Sequence, residues 1–229
     1  MSFRPARARR AILPAAGLLA GAVFAYGATP QRIVSVSPVV TEMLYGVGAF
    51  DRVVAVTEYC TYPPEAKALP KVGGWATPSV EKVAGFHPDL VAFSEAQAPF
   101  LKTQLQQLGI PIVVVPSQTI QDAFTAITAL GQATGHERQA TELVAHTRAA
   151  LDAVRMRAAG LPRPTVLIVV DHTPGALREM YAALPGSFLA ELVEIAGGKV
   201  VTAASGAGYG KISSVHIGRA HADFIVDLS

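Results

Sequence analysis

Short apolar runs alternate with helical patterns along most of the chain. Four of these runs are apolar on both faces, which is typical of central strands in a parallel sheet. They are residues 32–36, 53–56, 89–93 and 111–115. The pair Ser37-Pro38, a cap followed by a first-turn proline, predicts a helix that ends at Gly46 or Gly48. Further helical patterns cover 99–108 and 120–134.

A long helix divides this region from a second one of the same kind. Residues 137–159 contain no glycine or proline and would span roughly 35 Å as a helix. The pattern then resumes with strands at 165–170, 199–201 and 223–228 and a helix at 187–196. We therefore predict two Rossmann-like α/β lobes with parallel sheets, joined by one long helix. The predicted boundaries are 29–135, 136–160 and 161–229.

The two halves also show a weak internal repeat. Trp75, the only tryptophan, follows two glycines and lies fourteen residues before Asp89. Tyr209 also follows a glycine and lies fourteen residues before Asp223. Ligands of open parallel sheets bind outside the carboxyl ends of the strands, where the connecting loops gather. We therefore expect Trp75 and Tyr209 to face one cleft; the alternative for Trp75 is packing in its own lobe.

The first 28 residues resemble an export signal. Four arginines and no acid precede a fifteen-residue apolar run, and Ala25-Tyr26-Gly27 fits a cleavage site. The run is shorter than the roughly 20 residues of a membrane span, and Pro14 and glycines interrupt it. We predict cleavage near residue 27 and a periplasmic protein. The Sec and twin-arginine routes both remain open, and no cysteine follows the signal to carry a lipid anchor.

Charge and cysteine content narrow the function classes. Removal of the signal leaves 15 basic and 17 acidic residues, so the basicity of the full chain comes from the leader. Basic and aromatic residues do not cluster elsewhere, which argues against nucleic acid as a partner. Cys60 is the only cysteine and can form no internal disulfide. We expect a monomer.

Residues 31–115 carry a specific family resemblance, which continues more loosely to residue 228. The segments SPVVTEML, YCTYPPEA and VGGW, the last followed six residues later by Glu81, resemble periplasmic substrate-binding proteins of ABC importers. The resemblance is to the helical-backbone class, and most to its cobalamin-binding members. It implies that aromatic residues of both lobes hold a corrinoid; these would be Tyr59, Trp75, Phe93 and Tyr209.

The same resemblance implies docking on an ABC permease in the inner membrane through one exposed glutamate per lobe. Glu81 fits that position in the first lobe, although a carboxylate in a first helical turn is also explained by the helix dipole. Counting six residues from Tyr209 leads to Val215, so the second carboxylate is absent. The resemblance therefore offers a docking carboxylate in the first lobe and none at the matching position of the second.

The remaining candidate residues leave alternatives open for the ligand and for the class of protein. Asp171-His172 ends a predicted strand, so His172 is a candidate contact to the metal of a bound chelate, or else a solvated loop residue. A ferric siderophore or haem is the alternative ligand, and an exported hydrolase using Asp171 and His172 is the alternative class. No nucleophile motif supports catalysis. We predict no enzyme activity, no resident cofactor and no dedicated metal site.

The second lobe is expected to be incomplete. The sequence predicts about three strands there, against four or five in the first lobe. Either the sequence is truncated in this lobe, or the final run, 223–228, is an uncovered edge strand, which favours aggregation.

Overall fold

The computed structural model describes residues 29–173, 178–202, 204, 206 and 208–228. The predicted export signal, residues 1–28, lies outside the described residues. None of the helices in the described part of the chain is long and apolar enough to cross a membrane. We call residues 29–135 the first lobe and residues 161–228 the second lobe.

The first lobe is built on a parallel four-stranded sheet, as predicted. Its strands are β1 (Ile33–Ser35), β2 (Val53–Val56), β3 (Leu90–Ser94) and β4 (Ile112–Val115), in the order β2-β1-β3-β4. Its helices are α1 (Pro38–Gly46), α2 (Val80–Gly85), α3 (Ala98–Gln107) and α4 (Ile120–Thr134). Because helices cover both faces, β1 and β3 are buried along their whole length.

Local signals fix the ends of α4 where the sequence predicts them. The Thr119 side chain accepts a hydrogen bond from the Asp122 backbone N–H, and the Asp122 carboxylate accepts one from the Thr119 N–H, which together form a capping box. Gly135 ends the helix with φ = 71°, a conformation that glycine adopts without strain. The cleft described below is next to this helix start.

The long helix α5 (Glu137–Ala158) connects the two lobes, in agreement with the predicted 137–159. It packs closely against α4: a Cβ added at Gly131 would lie 2.4 Å from the Cβ of Ala140. Glycine at 131 therefore sets the distance between the two helices.

The second lobe contains a five-stranded mixed sheet, so the predicted three-stranded parallel sheet is wrong in this respect. Its elements are β5 (Thr165–Asp171), β6 (Met180–Ala183), α6 (Phe188–Ile195), β7 (Lys199–Val200), β8 (Tyr209–Ile212), α7 (Ser214–Ala220) and β9 (Phe224–Asp227). The strands run β7-β5-β6-β8, with β9 also on β5. β6 is antiparallel to both β5 and β8, whereas β7 and β9 are parallel to β5.

The internal repeat has a structural counterpart. The Asp89 carboxylate, just before β3, accepts hydrogen bonds from the backbone N–H groups of Gln31 and Arg32, just before β1. In the second lobe, the Asp223 carboxylate, just before β9, accepts hydrogen bonds from the backbone and hydroxyl of Thr165 at the start of β5. Each aspartate thus fixes the start of a parallel strand pair, and Trp75 and Tyr209 hold equivalent places before them.

Strand β9 is an edge strand with exposed apolar side chains. Within the described residues it pairs with β5 alone. Its side chains and that of Leu228 lie 40–60% exposed. An apolar edge of this kind is a site where strands of other chains can pair. Among the described residues no strand pairs with the other side of β9, and the choice between a truncated sequence and an uncovered edge stays a prediction.

Candidate functional site

A cavity of about 270 Å³ lies between the two lobes, and we call it the interlobe cleft. The first lobe lines it with Ser37, Val39, Met43, Trp75, Ser94, Ala96, Ser117, Thr119 and Ala123, and the second lobe with Phe188 and Tyr209. These side chains are apolar or carry hydroxyl groups, and none is charged at neutral pH. The cleft can therefore hold an uncharged apolar surface and hydrogen-bond its edges.

The two rings that the repeat picked out, those of Trp75 and Tyr209, line this same cleft from opposite lobes. Trp75 is 38% exposed and Tyr209 is 45% exposed, so neither ring is packed away in the core of its own lobe. Trp75 is therefore not a core residue, although its ring makes an edge-on contact with Phe100 of its own lobe, with the ring centroids 6.2 Å apart. Whether the two rings contact a ligand stays a prediction.

A buried glutamine, Gln97, anchors the Trp75 loop through hydrogen bonds. The Nε2 of Gln97 donates hydrogen bonds to the carbonyl of Val36, at 2.6 Å, and to the carbonyl of Trp75, at 3.0 Å. Its Oε1 accepts one from the Ser94 hydroxyl at 3.3 Å, and the residue is 0% exposed. Gly73 completes the loop with φ = 118°, where a Cβ would lie 2.5 Å from the Thr77 carbonyl oxygen. The indole is therefore carried on a fixed backbone.

Replacement of Gln97 with leucine is expected to lower the free energy of unfolding by roughly 1–3 kcal/mol, because the carbonyls of Val36 and Trp75 lose their donor. Trp75 should also become more accessible to acrylamide, since its loop loses its anchor. Urea unfolding and fluorescence quenching measure the two effects. Gln106→Leu, at an exposed position of α3, is the matched control and should change neither. Unchanged quenching in Gln97→Leu would contradict the anchoring role.

Tyr209 begins β8 and lies against the start of α6. Partial burial is the main reason that the pKa of its phenol is raised, and a backbone hydrogen bond from Leu189 acts in the opposite direction. The phenol therefore stays protonated at neutral pH and presents an uncharged ring. A partly exposed tyrosine with a hydrogen-bonded hydroxyl presents both an apolar ring and a polar end, as tyrosines at interfaces commonly do.

Two other predicted ligand contacts do not line the cleft. Phe93 is 0% exposed and packs in a core cluster with Val34, Leu101 and Leu105. Its role as a ligand contact is therefore not supported, because β3 is a central strand buried on both faces. Tyr59 is 63% exposed and lies beside the Trp75 loop, with its ring 3.9 Å from the position of a Cβ at Gly74. It remains a candidate at the rim.

His172 follows β5 and has both ring nitrogens occupied. Nδ1 is 2.9 Å from the Thr173 carbonyl oxygen and Nε2 is 3.1 Å from the Asp227 carboxylate. The Thr173 hydrogen bond, then that with Asp227, raise the pKa of His172. With both nitrogens engaged and the residue outside the cleft lining, contact to a chelated metal is not supported. His172 instead ties β9 to β5 at the ends of both strands.

We expect this pair to make the stability of the second lobe pH-dependent. The folded pKa of His172 is raised above the unfolded value near 6.5, so its contribution is fully present below that pH and is lost as the pH rises through the folded pKa. We expect His172→Gln to lower the melting temperature relative to the wild type at about pH 5.5 and to differ little from it at about pH 8.5. His146→Gln, on an exposed turn of α5, is the control. An equal deficit at both pH values would contradict this account.

Glu81 lies in the first turn of α2, which begins after the Ser79 cap. A hydrogen bond with its own backbone, followed by the one it accepts from the Ser79 hydroxyl at 2.9 Å, lowers the pKa of Glu81. The side chain is thus an exposed carboxylate that stays ionised. α7 begins in the same way after Ser213, and its second residue, Val215, is 57% exposed. The correspondence of Glu81 and Val215 found by counting holds in the structure, and permease docking stays a prediction.

Sequence reasoning missed most of the small side chains around the cleft. Ser37, Ser94 and Ser117 lie at or just after the carboxyl ends of β1, β3 and β4, where parallel sheets place ligand contacts, so strand ends could have identified them. Phe188 gave no such signal, because its place in the cleft depends on how the second lobe is oriented. Within the described residues, no group of three or more histidine, cysteine, aspartate or glutamate side chains could hold a metal ion.

Two α/β lobes joined by one long helix, with an aromatic-lined cleft between them, are typical of two-lobed proteins that bind a ligand between their lobes. The chain belongs to the periplasmic binding protein family, whose sequence model matches residues 33–227. This confirms the family resemblance read from the sequence. The family is one of binding proteins, which gives no support to the hydrolase alternative.

Individual relatives are named for two different ligands. The vitamin B12-binding protein of Pectobacterium carotovorum subsp. carotovorum is 35% identical over 114 residues, which cover 49% of this chain and 41% of that protein. The chain spans about half the length of the curated relatives it matches. Among solved structures, the vitamin B12 binding protein BtuF of Vibrio cholerae has a TM-score of 0.75 at 26% identity, covering 86% of this chain and 76% of that one. The haem-binding protein RhuT of Roseiflexus sp. RS-1 has a TM-score of 0.77 at 27% identity, with the same coverage.

Proposed function

We propose that this protein captures cobalamin or a related corrinoid in the periplasm and delivers it to an ABC import permease. The observation that carries the proposal is the presence of Trp75 and Tyr209, from opposite lobes, in the lining of one apolar cleft. Flat chelates present large faces on which aromatic rings stack. Glu81 is the proposed contact to the permease, since it is exposed and its pKa is lowered.

Haem is the second candidate, and the haem-binding relative is as similar in structure as the cobalamin-binding one. The charge of the cleft favours the corrinoid. Haem carries two carboxylates, which need basic partners when they are buried. Among the described residues that line the cleft there is no lysine, arginine or histidine. A neutral corrinoid therefore fits this lining better than a dianion.

The size of the cleft is a further constraint. Pockets that enclose drug-sized ligands have volumes of roughly 300–1,000 Å³. The interlobe cleft, at about 270 Å³, is below that range. A corrinoid therefore enters only if the lobes separate or if much of it projects from the mouth of the cleft.

A fluorescence titration tests the proposal, because Trp75 is the only tryptophan in the chain. Cyanocobalamin, haemin and a ferric hydroxamate are added separately to the purified protein, with N-acetyltryptophanamide as the control for light absorption by the ligand. We expect saturable quenching by cyanocobalamin beyond that of the control. Saturable quenching by haemin or the hydroxamate alone would replace the corrinoid by that ligand, and no saturable quenching by any of them would overturn the proposal.

A further inference from the structure

One hydrogen bond joins the two lobes directly beside the cleft. The Glu191 carboxylate, on α6 of the second lobe, accepts a hydrogen bond of 2.7 Å from the backbone N–H of Ile120 in the first lobe. Ile120 is the first residue of α4, so its N–H has no partner within the helix. A carboxylate at this place also interacts favourably with the helix dipole. Glu191 therefore caps a helix of the other lobe.

The neighbours of this bond line the cleft. Thr119 precedes Ile120 and Phe188 is one turn before Glu191, and both belong to the cleft lining. Leu189 follows Phe188 on α6, and its backbone provides the hydrogen bond to the Tyr209 hydroxyl. A change in the distance between Glu191 and Ile120 therefore moves Phe188 and Tyr209 relative to the first lobe.

Behind the bond, the packing between the helices of the two lobes is incomplete. A second cavity, of about 540 Å³, is lined by residues of α4, α5 and α6, including Ile120 and Glu191 themselves. Side-chain packing there does not fill the gap between the lobes. The separation of the lobes at this point thus depends on the hydrogen bond more than it would in a filled interface.

We propose that Glu191 is a positioning residue that holds the cleft at its narrow width and that must release Ile120 to admit a bulky ligand. This rests on the proposed function and on the first of the two routes given there, separation of the lobes, because the cleft volume of about 270 Å³ is below that of pockets that enclose drug-sized ligands. The hydrogen bond keeps the lobes together in the ligand-free protein, and its loss widens the cleft and speeds ligand entry.

The first test needs no ligand. Cysteines replace the exposed Lys102 in α3 and Arg219 in α7 and carry spin labels, while Cys60 is buried and stays unlabelled. We expect Glu191→Ala to broaden the distance distribution between the labels and to speed hydrogen exchange of the Ile120 amide at least about tenfold. Glu191→Gln retains an acceptor oxygen and should give a smaller change. Glu194→Ala, an exposed glutamate on the same helix and at the same cavity, is the matched control.

The second test measures cyanocobalamin association by stopped flow. Glu191→Ala is expected to raise the association rate constant several-fold, and Glu194→Ala to leave it unchanged. The proposal is overturned if Glu191→Ala keeps the wild-type distances between the labels and the wild-type hydrogen exchange of the Ile120 amide. It is also overturned if both variants change equally, or if the association rate constant is unchanged although the cleft is wider. A wild-type protein that binds none of the chelates overturns the proposed function instead, while the ligand-free measurements still report on the hydrogen bond.

Discussion

Replacement of Trp75 with alanine is expected to weaken cyanocobalamin binding at least about 30-fold, which corresponds to roughly 2 kcal/mol. The indole lines the interlobe cleft, and its loop is fixed by the two hydrogen bonds from Gln97. A large ring held in place before binding loses little conformational entropy on contact, so most of its contact energy appears as affinity. Isothermal titration calorimetry measures the dissociation constants.

Two further variants make this result specific. Trp75→Phe keeps an aromatic face and should recover part of the affinity. Tyr62→Ala removes a 52% exposed aromatic of the same lobe that does not line the cleft, so it should bind as the wild type does. Equal weakening in Trp75→Ala and Tyr62→Ala, or no weakening in either, would remove Trp75 from the binding site.

The Phe93→Ala variant is expected to lose about 3–5 kcal/mol of unfolding free energy. Phe93 is 0% exposed in the core cluster of the first lobe, and truncation of its ring leaves a cavity between β3 and the helices that cover it. Urea unfolding followed by circular dichroism gives the difference. Phe224→Ala serves as the exposed control and should lose no more than about 1 kcal/mol, because this ring is already 60% exposed.

A conservative change separates packing from binding at the same position. Phe93→Leu should cost less than about 2 kcal/mol and leave the cyanocobalamin dissociation constant unchanged, since only the core is repacked. If Phe93→Leu weakened cyanocobalamin binding without changing stability, Phe93 would belong to the binding surface, and its assignment to the core would be contradicted.

The first lobe could be predicted from the sequence because its signals are local. Strands β1, β2 and β4 are short β-branched runs, β3 is a short and mostly apolar run, and the start of α4 is marked by the Thr119 and Asp122 capping box. In the second lobe, β6 and β8 were missed. β8 contains Gly210 and follows a glycine-rich stretch, and β6 is a four-residue strand with alanine at two positions. Neither has the β-branched composition that identifies a strand without its neighbours.

Only the cleft residues that belong to the internal repeat could be predicted from the sequence, because the repeat relates a position in one lobe to a position in the other. The equivalent spacing of Trp75 and Tyr209 from Asp89 and Asp223 predicted that both rings face one cavity, and the structure brings them together. Phe93, in contrast, was predicted to contact the ligand but lies in the core. In a central strand buried on both faces, side chains before the carboxyl end belong to the core, and Ser94 is the residue that reaches the cleft.

Contacts that depend on register or lobe orientation had no sequence signal. His172 pairs with Asp227 only because β5 and β9 lie side by side with Val169 opposite Asp227. Glu191 reaches Ile120 because α6 is placed against the start of α4. These residues are 55 and 71 positions apart, and no spacing rule relates them.

The most direct test of the account is a crystal structure of the protein with cyanocobalamin. The account predicts a corrin ring between the Trp75 and Tyr209 side chains, with Phe188 at its edge and the distance from Glu191 to Ile120 longer than 2.7 Å. A corrinoid bound in the cavity lined by α4, α5 and α6, or on an outer surface away from both rings, would contradict it.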